Sequence, residues 1–239
     1  MSKVDIKKAW VRESKFGDWF LNTDTWLIHV LRRALNDLET LIPEGKPQKF
    51  HTVLDIGSGF GHSLIELDKR FSPNTIIALD VDSDVVNKAD SNSKKCQANI
   101  EFLINNAAEI ALPDNSVDMI FCHQTFHHIV DQDSAIKEFY RVLKPDGCLL
   151  FAESCRRYIH SMVIRVLFRH PMHVQKTDME YLQLLEQTGF DVVEKQLSRP
   201  FLWWSREDLG LWETLTGKVE DPQTREETLI NAVLYKSSQ

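Results

Sequence analysis

Three groups of residues in this chain are of types that can do chemistry, and their spacing says what chemistry. The first is Val53-Leu54-Asp55-Ile56-Gly57-Ser58-Gly59-Phe60-Gly61, an apolar run that ends in an acid and breaks into alternating glycines. The second is Asp80, at the end of Ile76-Ile77-Ala78-Leu79-Asp80-Val81-Asp82. The third is Cys122-His123-Gln124-Thr125-Phe126-His127-His128, where polar groups follow another apolar run. Glycines after a strand let the backbone approach a ligand without a Cβ clash. A helix opening just beyond them turns its free N–H groups to the same place. A carboxylate at the end of the next strand, about 20 residues on, can accept both hydroxyls of a ribose. Asp80 is the candidate for that contact and Asp82 its alternate.

The glycine spacing separates two kinds of nucleoside ligand. A dinucleotide loop reads G-x-G-x-x-G and would place glycine where this chain has His62. Here the spacing is G-x-G-x-G, with Asp55 two residues before the first glycine. That acid would repel a pyrophosphate but would attract the amino group of a methionine moiety. The expected cofactor is therefore S-adenosylmethionine rather than a nicotinamide dinucleotide. Its expected contacts are Asp55, Gly57, Ser58, Gly59, Gly61, Asp80, Val81, Asn106, Ala107 and His123.

Such a loop needs a sheet behind it. Thr52–Ile56, Thr75–Val81, Val117–Cys122 and Cys148–Glu153 are short apolar runs without alternation, as in strands buried on both faces. Helical stretches at Ser63–Arg70, Ser83–Ala89 and Ser134–Leu143 lie between them, which predicts βαβ units and a doubly wound, mostly parallel α/β sheet. Residues 1–50 read as a helical cap, with Leu27, Leu31, Leu35, Leu38 and Ile42 on one face, a cap at Asn22 or Thr23, and a stop at Pro43 and Gly45. After residue 155 the spacing predicts helices over Arg156–His170 and Thr177–Thr188, then strands over Asp191–Leu197 and Leu229–Tyr235. The organisation expected is one domain: a cap over 1–50, a cofactor-binding core over 51–155, and substrate-cap helices with C-terminal strands over 156–239.

With these motifs in place, the sequence resembles the class I S-adenosylmethionine-dependent methyltransferases, in particular the small-molecule group related to the ubiquinone/menaquinone methyltransferases. Val53–Gly61 is similar to that family's first motif and Ala78–Asp82 to its ribose-binding acid. Asn106-Ala107-Ala108-Glu109 is similar to the third-strand motif, with Asn106 where Asp is common. Arg141-Val142-Leu143-Lys144-Pro145-Asp146-Gly147 is similar to the turn before strand five. The resemblance covers about residues 50–155. It implies a seven-stranded Rossmann-like methyltransferase sheet with an insertion after strand five. It also implies adenine contacts at Asn106 and Ala107.

Methyl transfer from a sulfonium is an in-line displacement in which positioning supplies much of the rate; a base is needed only where the acceptor must lose a proton. His123 follows the fourth apolar run directly and is the candidate base or acceptor-orienting group. His127 is the second catalytic candidate, although the His127-His128 pair resembles a stretch frequent across the family whatever the substrate, which favours packing. No carboxylate or cysteine stands at ligand spacing from these histidines, so no metal is expected. Trp19, Phe20 and Trp26 near the start, and Phe201, Trp203 and Trp204 near the end, can line an apolar acceptor pocket or simply pack the cap. Arg156, Arg157 and Arg169, with His160, can bind an acidic acceptor or form a solvated face.

The whole chain narrows the partners. A formal charge of −7 over 239 residues argues against a partner held by phosphate contacts. The chain also lacks the Asn- or Asp-Pro-Pro-Tyr stretch of enzymes that methylate nucleic-acid amines. The expected acceptor is thus a small molecule, aromatic or acidic. No run is apolar enough to span a membrane and no signal segment is read at the start, so a cytoplasmic protein with reduced cysteines is expected. Two other functions use the same motifs: a cofactor-binding sensor or partner protein without turnover, and a nicotinamide-dependent oxidoreductase.

Overall fold

The computed structural model describes residues 10–46, 50–218, 220–221 and 224–237. The first nine residues of the expected N-terminal cap therefore lie outside the described residues. The cap itself is α1 (Lys15–Leu21), then α2 (Asp24–Trp26) running through a π turn at Leu27–Leu31 into α3 (Arg32–Leu41). Of the two expected caps it is Thr23 that acts, its hydroxyl accepting from the Trp26 amide.

The core alternates strand and helix except between its third and fourth strands, which a loop over residues 105–116 joins. It comprises β1 (Thr52–Ile56), α4 (His62–Phe71), β2 (Thr75–Asp80), α5 (Ser83–Ser93), β3 (Asn99–Ile104), β4 (Val117–His123), α6 (Gln132–Val142) and β5 (Leu143–Ser154). Two short helices follow, α7 (Arg156–Ile159) and α8 (Met162–Leu167), then α9 (Asp178–Thr188), β6 (Phe190–Asp191), β7 (Leu197–Ser198), α10 (Leu211–Thr216) and β8 (Leu229–Lys236). Strand order is β3-β2-β1-β4-β5-β8-β6, with β7 also on β8. The first five strands run parallel, and β8 pairs antiparallel with β5. Order reverses between β1 and β4, so the crevice at their carboxyl ends is where this architecture seats ligands.

Successive residues of each central strand face opposite layers. Val53, Ile76, Met119 and Leu150 pack with Leu31, Leu35 and Leu38 of the cap helix. Leu54, Leu79, Ile120 and Phe151 pack with Phe139 of α6 and Tyr181 of α9 on the other face. The glycine loop thus leaves a strand clamped from both sides.

Two expected elements are interrupted. Arg156–His170 is not one helix: His160 ends α7, and the Ser161 side chain accepts from the Ile164 amide to start α8 afresh. Asp191–Leu197 is not one strand either. Residues Phe190–Asp191 and Leu197–Ser198 both pair with β8, but the register shifts by three residues between them. A 3₁₀ turn at Glu194–Gln196 takes up the three. The sheet therefore has the seven positions expected, with eight strand segments.

Candidate functional site

The glycine loop is built by backbone contacts that only glycine allows. The Gly57 amide donates to the Leu79 carbonyl at 2.8 Å, tying the end of β1 to β2. Gly57 sits at φ +72, and a Cβ there would lie 2.4 Å from the Thr125 side chain. Gly61, at φ +75, is the N-cap of α4. Asp80 holds the loop from the other side, accepting from the Gly59 amide at 3.2 Å and the Asp82 amide at 3.0 Å. Burial pushes the Asp80 carboxyl above its usual range. Asp82, the alternate ribose acid, caps α5 by accepting from Asp84.

Gly57, Gly59, Asp80, Val81, Asn106 and Ala107 line one cleft of about 160 Å³, so the fold brings together residues drawn from three separate motifs. The Asn106 side-chain Oδ1 also accepts from the Ala108 amide at 3.0 Å, which fixes the turn leaving β3.

Behind the loop lies a smaller recess of about 80 Å³ formed by Asp55, Ser58, Ser63 and His123, among others. Asp55 is 1% exposed and accepts from the Ser63 hydroxyl at 2.6 Å. Burial pushes its carboxyl up to about 7; the Ser63 bond opposes the shift and the Asp80 charge adds to it. Among the described residues, Ser58 Oγ and His123 Nε2 are buried with no hydrogen-bond partner.

His123 lies at this recess. Its ring lies against Phe121 and Trp26, with centroids 5.7 and 5.6 Å away, and it faces the recess. It does not border the larger aromatic cavity described next. Burial pushes its pKa down to about 3, so the ring is neutral at ordinary pH and accepts protons poorly. The ring thus lines the recess beside Asp55 and Ser58.

The aromatic cavity, about 250 Å³, lies on the opposite side of the β4 loop. Phe20, Trp26, Trp203 and Trp204 line it, as expected, together with Phe16, Tyr158 and Phe168. Trp19 is 63% exposed outside it. Phe201 is also outside, beneath the guanidinium groups of Arg206 and Arg225. The basic residues are engaged elsewhere: Arg157 pairs with Glu207 and Glu220, and Arg156 with Glu180 and Glu226. The Arg169 amide donates to Glu13, and His160 lies by the Met172 carbonyl.

Cleft, recess and cavity all meet at Gln124 and Leu21. Gln124 occupies the left-handed region at φ +50, a conformation costly for a residue with a side chain. It is held there by its amide bond to the Ala152 carbonyl and by the Ser154 hydroxyl, which donates to its Oε1 at 2.5 Å. Nothing in its residue type marks it.

Glu153 anchors the whole loop. It is fully buried at the end of β5, where it accepts from the Thr125 and Phe126 amides at 2.8 and 2.7 Å. Its second oxygen lies 2.6 Å from His127 Nδ1. The one available signal was an acid inside an otherwise apolar strand. His127 and His128 share a 3₁₀ turn, and His128 borders both cleft and cavity. Along the chain these histidines lack ligand-spaced partners; in space His170 and Glu13 stand beside them.

Comparison with known proteins accounts for this arrangement. A family model described as a methyltransferase domain matches residues 54–151. An uncharacterized methyltransferase of Bacillus subtilis, YcgJ, is 35% identical over 120 residues, covering 49% of this chain and 46% of that protein. The ubiquinone/menaquinone biosynthesis C-methyltransferase UbiE of Rickettsia typhi is 30% identical over 166 residues, covering 64% and 65%. The chain thus spans only part of these curated relatives. A solved S-adenosylmethionine-dependent methyltransferase from Aquifex aeolicus shares the fold, with TM-score 0.62 and 23% identity over 92% of this chain and 97% of that one. The protein has the fold of the class I S-adenosylmethionine-dependent methyltransferases.

Proposed function

We propose that the chain transfers a methyl group from S-adenosylmethionine to a small, largely apolar acceptor held in the aromatic cavity. The observation that carries this reading is the junction at Gln124, Leu21, Glu13 and His128, where the cavity meets the cleft below the glycine loop. The residues present fit the cofactor. Gly57 leaves a cradle that a Cβ would fill, and Ser58 Oγ and His123 Nε2 are polar atoms awaiting a partner. Asp80 would accept the ribose hydroxyls, with Asn106 and Ala107 at the adenine end. Asp55, Ser58 and His123 would hold the methionine end, where an ammonium would stabilise the Asp55 carboxylate. When bound, the cofactor supplies an electrophilic methyl on a sulfonium centre.

The chain's own residues then position and exclude. Phe16, Phe20, Trp26, Phe168 and Trp204 shield the acceptor from water. Gln124 and His128 stand between the two ligands, and burial pushes the His128 pKa well below normal, so it meets the acceptor as a neutral imidazole. The commitment of Arg156 and Arg157 to glutamates favours an aromatic over an acidic acceptor.

Calorimetry with Asp80→Ala tests the cofactor assignment. Loss of bidentate acceptance should weaken S-adenosylmethionine binding by about 100-fold, roughly 3 kcal/mol; unchanged affinity would sink it. A radiolabelled methyl screen over phenols, quinones and amines tests turnover. Cofactor binding with no transfer to any of them would leave a sensor as the better reading.

A further inference from the structure

Three imidazoles that the proposed reaction does not use as a set converge on one wall of the aromatic cavity. His127 and His128 come from the turn after β4, and His170 comes from the segment after α8. One ring nitrogen from each lies within 4.8 Å of the others. The ring centroids are 4.4, 4.7 and 5.1 Å apart. Packing three imidazoles together, His127 buried and His128 and His170 half-buried, is costly unless their ring nitrogens find partners. Yet His170 Nδ1 is buried and, among the described residues, without one.

We propose that His127, His128 and His170 bind one divalent transition-metal ion of the zinc type, with Glu13 in reach as a fourth ligand. Each supporting residue is already set for that task. Glu153 accepts from His127 Nδ1, which fixes the ring and leaves Nε2 as the ligand atom. This carboxylate–histidine relation is the usual outer support of a metal-bound imidazole. Glu13 Oε1 accepts from the Ser14 and Arg169 amides at 2.6 and 2.9 Å, tying the acid to the residue beside His170. Its Oε2 lies 3.9 Å from His128 Nε2.

Nitrogen with one carboxylate oxygen selects zinc, cobalt, nickel or copper over magnesium or calcium. Nitrogens on a tetrahedral ion with bonds of roughly 2.05 Å stand roughly 3.3 Å apart, so the rings must close by about 1.5 Å at most. Resting on the proposed methyl transfer, the ion would face the cavity beside Gln124. It would then favour acceptors carrying a hydroxyl or phenolate oxygen that can ligate it.

Tag-free, chelator-treated protein titrated with Co²⁺ and, separately, Zn²⁺ tests this without any turnover. The expected result is one equivalent bound, with the visible absorption of nitrogen-ligated Co²⁺. His128→Gln and His170→Gln should each weaken Zn²⁺ binding at least tenfold, while His51→Gln at an exposed position leaves it unchanged. Saturable binding that survives both cavity substitutions, or no stoichiometric binding by the wild type, overturns the proposal. If either variant loses its native circular dichroism, X-ray absorption on the metal-loaded wild type decides instead. Three imidazole ligands support the site, and one or none overturns it. S-adenosylmethionine calorimetry on the same samples keeps the outcomes separable, since intact cofactor binding without metal binding refutes this site alone.

Discussion

The cofactor cleft and the aromatic cavity share a wall at Gln124 but are assembled in opposite ways. The cleft is made where consecutive strands end, so Gly57, Asp80 and Asn106 arrive in chain order from β1, β2 and β3. The cavity gathers Phe16 and Trp26, His128, Phe168 and Trp204 from four segments that have no neighbouring register. A ligand held by backbone amides and strand ends requires a particular glycine spacing, and spacing is visible in a sequence. A ligand held by apolar walls requires only volume, which many aromatic arrangements provide. The cleft is therefore built from positions fixed one by one, while the cavity is built from volume.

The largest test of this contrast falls on the wall that both share. Glu153→Ala removes the acceptor for two backbone amides and for His127 at once, leaving buried donors unpaired. Breaking such a buried pair costs about 3–5 kcal/mol, and in a chain this long that lowers Tm by roughly 10 °C. Calorimetric melting checks it, with loss of both cofactor binding and acceptor turnover expected. A variant that melts normally and loses only turnover would confine Glu153 to the cavity side.

A smaller effect separates the recess from the cavity by pH. The Asp55 carboxyl is pushed up to about 7 from its ordinary 3.8, so the folded protein without ligand holds a proton that the unfolded chain has lost. Fold stability from this group accordingly falls as pH rises from about 4 to about 7. If a ligand ammonium binds the ionised form, S-adenosylmethionine affinity should rise about tenfold per unit towards pH 7 and then level, with proton release below it. Calorimetry at pH 6 in buffers of different ionisation enthalpy measures that release. Equal apparent enthalpies in all buffers would remove Asp55 from the ammonium contact.

How much was legible follows the same division. The strands around Asp55 and Asp80, the helix at Ser83 and the glycine loop between the first two strands were readable because burial on both faces and glycine spacing leave local marks. The broken strand after α9 was not, because Val192 and Val193 look equally suited to continuing it; only its pairing with β8 reveals the three-residue excursion. That the His123 ring faces the recess was not legible, because position after a strand does not say which side of the loop a ring will face. Gln124, the residue at the junction, has a polar side chain like many others, and its left-handed backbone is set by Ala152 and Ser154 from a different strand. Glu13 and His170 are 157 residues apart in number and became neighbours of His128 only through folding.

The smallest expected effect distinguishes aromatic residues that make the cavity from those that only sit near it. Trp204 lines the cavity, with its ring edge-on to Tyr158 at 5.8 Å between centroids. Trp204→Ala enlarges the acceptor space without touching the cleft. The acceptor KM should then rise about tenfold, some 1.4 kcal/mol, while S-adenosylmethionine affinity stays within twofold. Trp19, in α1 of the cap, is as large, but 63% of it faces solvent. Trp19→Ala should move melting, cofactor affinity and acceptor KM by no more than about 0.5 kcal/mol each, as surface substitutions do. An acceptor KM that responds to Trp19 as strongly as to Trp204 would mean that the acceptor extends past the cavity mouth. The wall between ligand and solvent would then lie farther out than the fold alone places it.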